Sequence, residues 1–184
     1  MSITVNAAFD GGNIELVSIE GDTVNLTIRR DKGSEFFQWF YFRVAGLSDR
    51  AAGTPFKFRI LNAGESAYPD GWPNYKTRAS TDRLNWRMTD TRYADGVLEW
   101  DWSGEGDLAW FAYFAPYTME QHEALIARIA GEPGVRHREL GVSLDGQAID
   151  CLTIGSGPKP VWLYARQHPG DRWRNGGWKA RSSV

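Results

Sequence analysis

Val97-Leu98-Glu99-Trp100-Asp101-Trp102 decides the fold class. Leu98, Trp100 and Trp102 alternate with the acids Glu99 and Asp101, a period of two that an extended strand resolves into one dry face and one wet face. Glu99 and Asp101 share a face and could pass for the paired acids of a glycoside-cleaving site. The solvated side of a sheet accounts for them more simply, with Leu98, Trp100 and Trp102 facing in.

The same period recurs on both sides of this segment. Ile3, Val5 and Ala7 alternate with other positions, Ile14 and Leu16 follow Gly11-Gly12, and Val24, Leu26 and Ile28 follow Gly21-Asp22. Glu20-Gly21-Asp22-Thr23 between alternating runs predicts a hairpin. Phe36 to Ala45 reads as one long aromatic strand, Phe56 to Ile60 and Leu84-Trp86-Met88 as further strands, and Leu108 to Phe114 closes the series. Short strands at this spacing, with no helical period between them, predict an antiparallel β-sandwich over residues 1–116.

Composition narrows the function classes. The 184 residues are 42% hydrophobic and 24% charged, which suits one globular domain or one domain with part of another. A net charge of -2 gives no electrostatic case for nucleic acid or an anionic membrane surface. No apolar run approaches a membrane span, and the N-terminus lacks a basic-then-apolar leader. One cysteine, Cys151, excludes an internal disulfide, so a reducing, cytoplasmic setting is expected. The outlying feature is the aromatic content, with nine Trp, seven Tyr and nine Phe.

The pattern changes at Tyr117. Thr118 with Gln121 forms a capping box, and His122, Leu125, Ile126 and Ile129 then fall on one helical face before Gly131 and Pro133 end the run. Two apolar-containing strands flank Asp145-Gly146, a hairpin turn pair. Gly155-Ser156-Gly157-Pro158 is a loop and not a phosphate cradle, because no helix with Lys-Ser/Thr follows it. Val161-Trp162-Leu163-Tyr164-Ala165 is a continuous apolar run, predicted to be a strand buried on both faces, and it leads into the turn His168-Pro169-Gly170-Asp171. Helix, hairpin and buried strand are expected to open an α/β domain over residues 117–184. His168 and Asp171 flank the turn and supply an imidazole and a carboxylate, ligand types that zinc accepts.

Other chemistry-bearing residues have simpler readings. His122 on the apolar side of the helix and His137 among arginines are expected to be structural or solvated, and Cys151 a small hydrophobe within a strand. Tyr68, Trp72 and Tyr75 sit among turn formers in Tyr68-Pro69-Asp70-Gly71-Trp72-Pro73-Asn74-Tyr75. They read as interdomain packing, with a surface for protein or stacked carbohydrate as the alternative.

Trp162-Leu163-Tyr164-Ala165-Arg166-Gln167-His168-Pro169-Gly170 followed by an acid resembles the first zinc-ligand segment of the zinc carboxypeptidases, in their cytosolic-carboxypeptidase-like branch. Phe40 to Val44 and Tyr113 to Thr118 are similar to segments of the sandwich that precedes the catalytic domain there, and Gly141 to Gly146 to the start of that domain. The resemblance implies a metallocarboxypeptidase that removes C-terminal amino acids from peptides or proteins. In it zinc is held by the His and Glu of His-Pro-Gly-Glu and by a later His, with a Glu as general base and an Arg gripping the substrate carboxylate. His168 maps onto a ligand intact; Asp171 stands where the family has Glu, one methylene shorter. The third ligand, base and clamp have no counterpart in residues 1–184, so this chain is expected to be a truncated, inactive portion with weak zinc binding and a tendency to self-associate through an unfinished sheet. Codons can be chosen for Arg172 to Ala180 so that a shifted frame reads Met-Ala-Glu-Trp-Trp-Met-Glu-Gly, a family-like helix start; the tail is therefore expected to be a frameshift product. The rival expectation is a non-catalytic module binding protein or carbohydrate through exposed aromatics.

Overall fold

The computed structural model describes residues 3–48, 54–104 and 106–164, in two compact units, Met1–Pro116 and Tyr117–Val184. His168, Asp171 and the tail from Arg172 lie outside the described residues.

The described residues of the first unit form ten strands: β1 (Thr4–Asn6), β2 (Glu15–Glu20), β3 (Thr23–Thr27), β4 (Tyr41–Ala45), β5 (Phe56–Ile60), β6 (Arg78–Ser80), β7 (Arg87–Met88), β8 (Thr91–Ala94), β9 (Val97–Trp102) and β10 (Leu108–Ala112). They form two five-stranded sheets, ordered β1-β4-β10-β6-β7 and β2-β3-β5-β9-β8. The segment 97–102 lies as its alternation requires. Leu98, Trp100 and Trp102 are at most 2% exposed, while Glu99 and Asp101 meet Lys57, Arg59 and Arg92 on the outer face. Rings from both sheets fill the core: Phe58 of β5 lies 4.8 Å from Phe111 of β10 and 5.6 Å from Trp100, and Phe42 of β4 lies 5.5 Å from Phe111. Each such ring removes a large apolar area from water, about 1.5–3 kcal/mol per fully buried side chain.

Turn chemistry sets the registers. Gly21 takes a φ of 60° in the two-residue turn joining β2 to β3. Asp95 and Gly96, at φ 51° and 77°, make the turn that pairs Ala94 with Val97. Gly64 is needed for a different reason: a Cβ there would lie 2.7 Å from the Gly96 Cα, where the Gly64 amide donates to the Gly96 carbonyl at 2.7 Å.

Three strand readings are corrected in detail. First, β3 and β5 pair in parallel, Thr23 with Lys57 through Leu26 with Ile60, within otherwise antiparallel sheets. The chain leaves β3, adds β4 to the opposite sheet and returns, which restores its direction. Second, Phe36 to Phe40 does not extend β4. The carbonyls of Phe36, Phe37 and Phe40 accept from Asp31, Ala67 and Tyr113 in turn, so no single neighbour offers a ladder. Third, only Arg87–Met88 of the 84–88 run is strand. Asp82 accepts from the amides of Leu84 and Asn85 at 2.8 and 2.7 Å, and this side-chain turn takes the backbone groups a strand would use.

The second unit contains α1 (Met119–Ala130) and the hairpin β11 (Val135–Val142) and β12 (Ala148–Ile154). The capping box is present: the Gln121 amide donates to Thr118 Oγ1 at 3.3 Å, and the Thr118 amide to Gln121 Oε1 at 2.9 Å. Gly131 ends the helix, its amide donating to the Ala127 carbonyl. The hairpin turns through Ser143–Gln147, with Gly146 at φ 79°. The predicted buried strand at 161–165 is not observed over its described residues: Val161, Trp162, Leu163 and Tyr164 carry no strand and are 64–80% exposed, and Ala165 lies outside the described residues. A strand buried on both faces needs flanking strands and a covering layer, and among the described residues β11 and β12 pair only with each other.

Candidate functional site

The aromatic loop is divided between interior and surface. Trp72 is 1% exposed; its Nε1 donates to the Ala63 carbonyl at 2.8 Å and to Ser66 Oγ at 2.9 Å, inside the sandwich. Tyr75 packs edge-on to Trp72 at 5.2 Å, and its hydroxyl donates to the Tyr113 carbonyl at 2.5 Å. Burial pushes the Tyr75 hydroxyl well above the ordinary tyrosine range. Of the three residues only Tyr68, 67% exposed, presents its ring to solvent. The three therefore do not form one open aromatic surface, and the packing that holds Trp72 and Tyr75 is internal to the first unit.

In the second unit the structure brings together residues that sequence reasoning kept apart. His122 Nε2 of α1 donates to Asp150 Oδ2 at 3.0 Å, and His137 Nε2 of β11 to Asp150 Oδ1 at 2.7 Å. The bond from His137 is the largest cause of a carboxyl held below its ordinary range, with His122 adding to it. An ionised carboxylate only accepts, so both imidazoles carry their proton on Nε2 toward Asp150. The helix is thereby fastened to the hairpin beside a shallow cavity of about 330 Å³ walled by Met119, Ile126, Ala127 and Ala130 with His137 and Asp150. One signal could have found the pair. Glu139 opposes Asp150 across the hairpin, which puts His137 diagonally next to Asp150 on the same face. No group of three or more His, Cys, Asp or Glu among the described residues is arranged to hold a metal ion.

Residues 5–114 match the family described as the cytosolic carboxypeptidase N-terminal domain. An uncharacterized protein of Zymomonas mobilis is 52% identical over 93% of this chain and 44% of its own length. Cytosolic carboxypeptidase 2 of Xenopus tropicalis is 28% identical over 96% of this chain and 21% of its own. Among solved structures, a metallo-carboxypeptidase from Burkholderia cenocepacia superposes with a TM-score of 0.88 at 36% identity, over 98% of this chain and 48% of that one. The chain thus spans less than half the length of these relatives. No helix among the described residues is long and apolar enough to cross a membrane.

Proposed function

Because the chain belongs to the cytosolic carboxypeptidase family, we propose that it supplies the N-terminal sandwich and the opening of the catalytic domain of a cytoplasmic metallocarboxypeptidase, which removes C-terminal amino acids from peptides or proteins. The observation that carries this reading is the likeness to the Burkholderia cenocepacia metallo-carboxypeptidase over 98% of the chain, at an identity of 36%. Both units therefore have counterparts in one protein of that type.

Zinc is the metal we assign. His168 and Asp171 would hold it, one neutral imidazole and one carboxylate, which is a donor set zinc accepts. Bound there, zinc would polarise a substrate carbonyl and lower the pKa of a coordinated water. Asp171 reaches one methylene less far than a glutamate, which weakens its grip on an ion already held by His168. Catalytic zinc sites use three protein ligands, so residues 1–184 alone bind the ion loosely and do not turn substrate over. The exposed apolar residues of the second unit lead the same chain to self-associate.

Zinc competition against a chromophoric chelator tests the assignment without an activity assay. Weak binding that disappears in His168→Ala and tightens in Asp171→Glu is expected. Zinc affinity indifferent to both substitutions would remove the site from 168 and 171.

A further inference from the structure

The four strand edges of the first unit are not equally protected. β1, β7 and β8 each end a sheet with three, two and four residues, whereas β2 ends its sheet with six. β2 also carries three exposed aliphatic side chains, Leu16 at 42%, Val17 at 53% and Ile19 at 38%. A short edge strand leaves little backbone for a foreign strand to pair with. A longer one leaves a row of free N–H and C=O groups, here with apolar surface beside it.

The register fixes what lies on each side of that edge. Leu16 opposes Leu26 and Ile19 opposes Val24, and both of these β3 residues are fully buried. Leu16 and Ile19 therefore form an open rim of the core. Glu15, Ser18 and Glu20 oppose Thr27, Asn25 and Thr23 and lie on the outer face. The register shifts between Leu16 and Ser18, so Val17 is the extra residue of a bulge. The bulge lets two apolar residues three positions apart face the same way. The two acids stand about 16 Å apart along the strand. Glu20 accepts from Ser18 Oγ at 2.8 Å and from Asn25 Nδ2 at 3.3 Å, neutral donors that leave its charge in place. Neither Glu15 nor Glu20 meets a cation among the described residues.

We propose that β2 docks an extended polypeptide segment with basic flanks, as an added antiparallel strand. Main-chain bonds along the free edge supply the pairing, and the side chains of β2 select the sequence. Opposite Leu16 and Ile19 the docked strand places aliphatic residues that extend the rim of the core. Opposite Glu15 and Glu20 it places Lys or Arg. A second copy of the chain fits worse. The two-fold pairing that sets Leu16 against Ile19 of the other copy also sets Glu15 against Glu20 at both ends, and like charges directly opposed are unfavourable. The bulge acts in the same direction, because it blunts the edge against flat, indiscriminate pairing. The surface lies in the first unit, so the proposal stands or falls independently of zinc at 168 and 171.

Fluorescence anisotropy on the whole chain tests it with labelled peptides: one carrying Lys-Ile-Thr-Thr-Val-Lys, one with Glu in place of both Lys, and one with the first sequence N-methylated at alternate amides. Only the first is expected to bind, since the second reverses the charges and the third removes main-chain donors while keeping the side chains. Glu15→Lys should weaken its binding about threefold with an unchanged melting curve. Glu15→Lys combined with Glu20→Lys should weaken it about tenfold or more and confer binding of the Glu peptide. Glu20 also bonds Ser18 and Asn25, so the single Glu15 variant keeps the test independent of folding. Asp70→Lys, at an exposed position off this edge, should leave binding unaltered. Equal affinity for the Lys and Glu peptides, binding that survives N-methylation, no binding of any peptide, or insensitivity to the Glu15 variants would overturn the proposal. So would a change of oligomeric state in the double variant without peptide binding, which would give the edge to a second copy of the chain.

Discussion

In the first unit Phe42, Phe58, Leu98 and Phe111 retain no solvent exposure, whereas in the second Leu140, Val142, Ile149 and Ile154 keep between 48% and 69%. No residue of α1 is buried, although its apolar face has the helical spacing that usually accompanies burial. The difference follows from layers. Two sheets facing each other enclose a slab of side chains, so the first unit completes its core from its own strands. Among the described residues of the second unit one helix and one hairpin cover only part of each other, and the capping box, the hairpin ladder and the bonds to Asp150 help to hold them together. Cooperative unfolding should therefore report on the first unit, and association on the second.

The largest expected effect tests the first half of that contrast. Trp72→Ala should lower stability by about 3–5 kcal/mol, because it opens a cavity in a packed core. It also strips the Ala63 carbonyl and Ser66 hydroxyl of a donor. Urea unfolding followed by circular dichroism measures it; a change below about 1 kcal/mol would mean that the 68–75 loop lies outside the core. The second half is tested by length. Sedimentation of residues 1–116 should show a monomer, while residues 1–184 should associate with rising concentration through the exposed apolar side chains. Monomeric behaviour of both would show that those side chains are covered within the chain.

Legibility from sequence followed the same division. Segments whose structure is set by neighbours in the chain were readable: the 97–102 alternation, the Gly21-Asp22 turn, the Thr118–Gln121 capping box and the Asp145-Gly146 hairpin all stand where their residues put them. What depended on distant partners was not. A parallel neighbour leaves the same alternation in β3 as an antiparallel one, so the Thr23–Lys57 pairing carried no local mark. Phe36 to Phe40 is as apolar as a strand, but its carbonyls are claimed by three separate segments. Trp72 sat among turn residues that usually signal a surface, yet its indole found the core. The Asp150 cluster joins residues 28 and 13 positions apart, and only the hairpin half of it could be inferred from register.

The smallest effect, confined to the second unit, concerns pH. Asp150 has a folded-state pKa below its ordinary value of 3.8, because the folded chain offers its carboxylate two imidazole donors that the unfolded chain does not. The stability this contributes is fully present above about pH 4 and is lost as pH falls through the lowered folded value. Protonating either imidazole does not break the bonds, since Nε2–H donates in both charge states. The fastening of α1 should therefore persist from neutral into mildly acidic solution and weaken only in strong acid. Glu123 lines the same cavity and Glu139 opposes Asp150 on the hairpin. His137 keeps 40% of its side-chain surface, and solvent screening makes the effect modest. Amide exchange of α1 measured from pH 6 to pH 2 reads it out directly. After correction for intrinsic exchange, protection in the parent chain should fall below about pH 4, while Asp150→Asn should start lower and lack that acid-dependent step. Identical profiles for the two would place the acid sensitivity of the helix elsewhere than at Asp150.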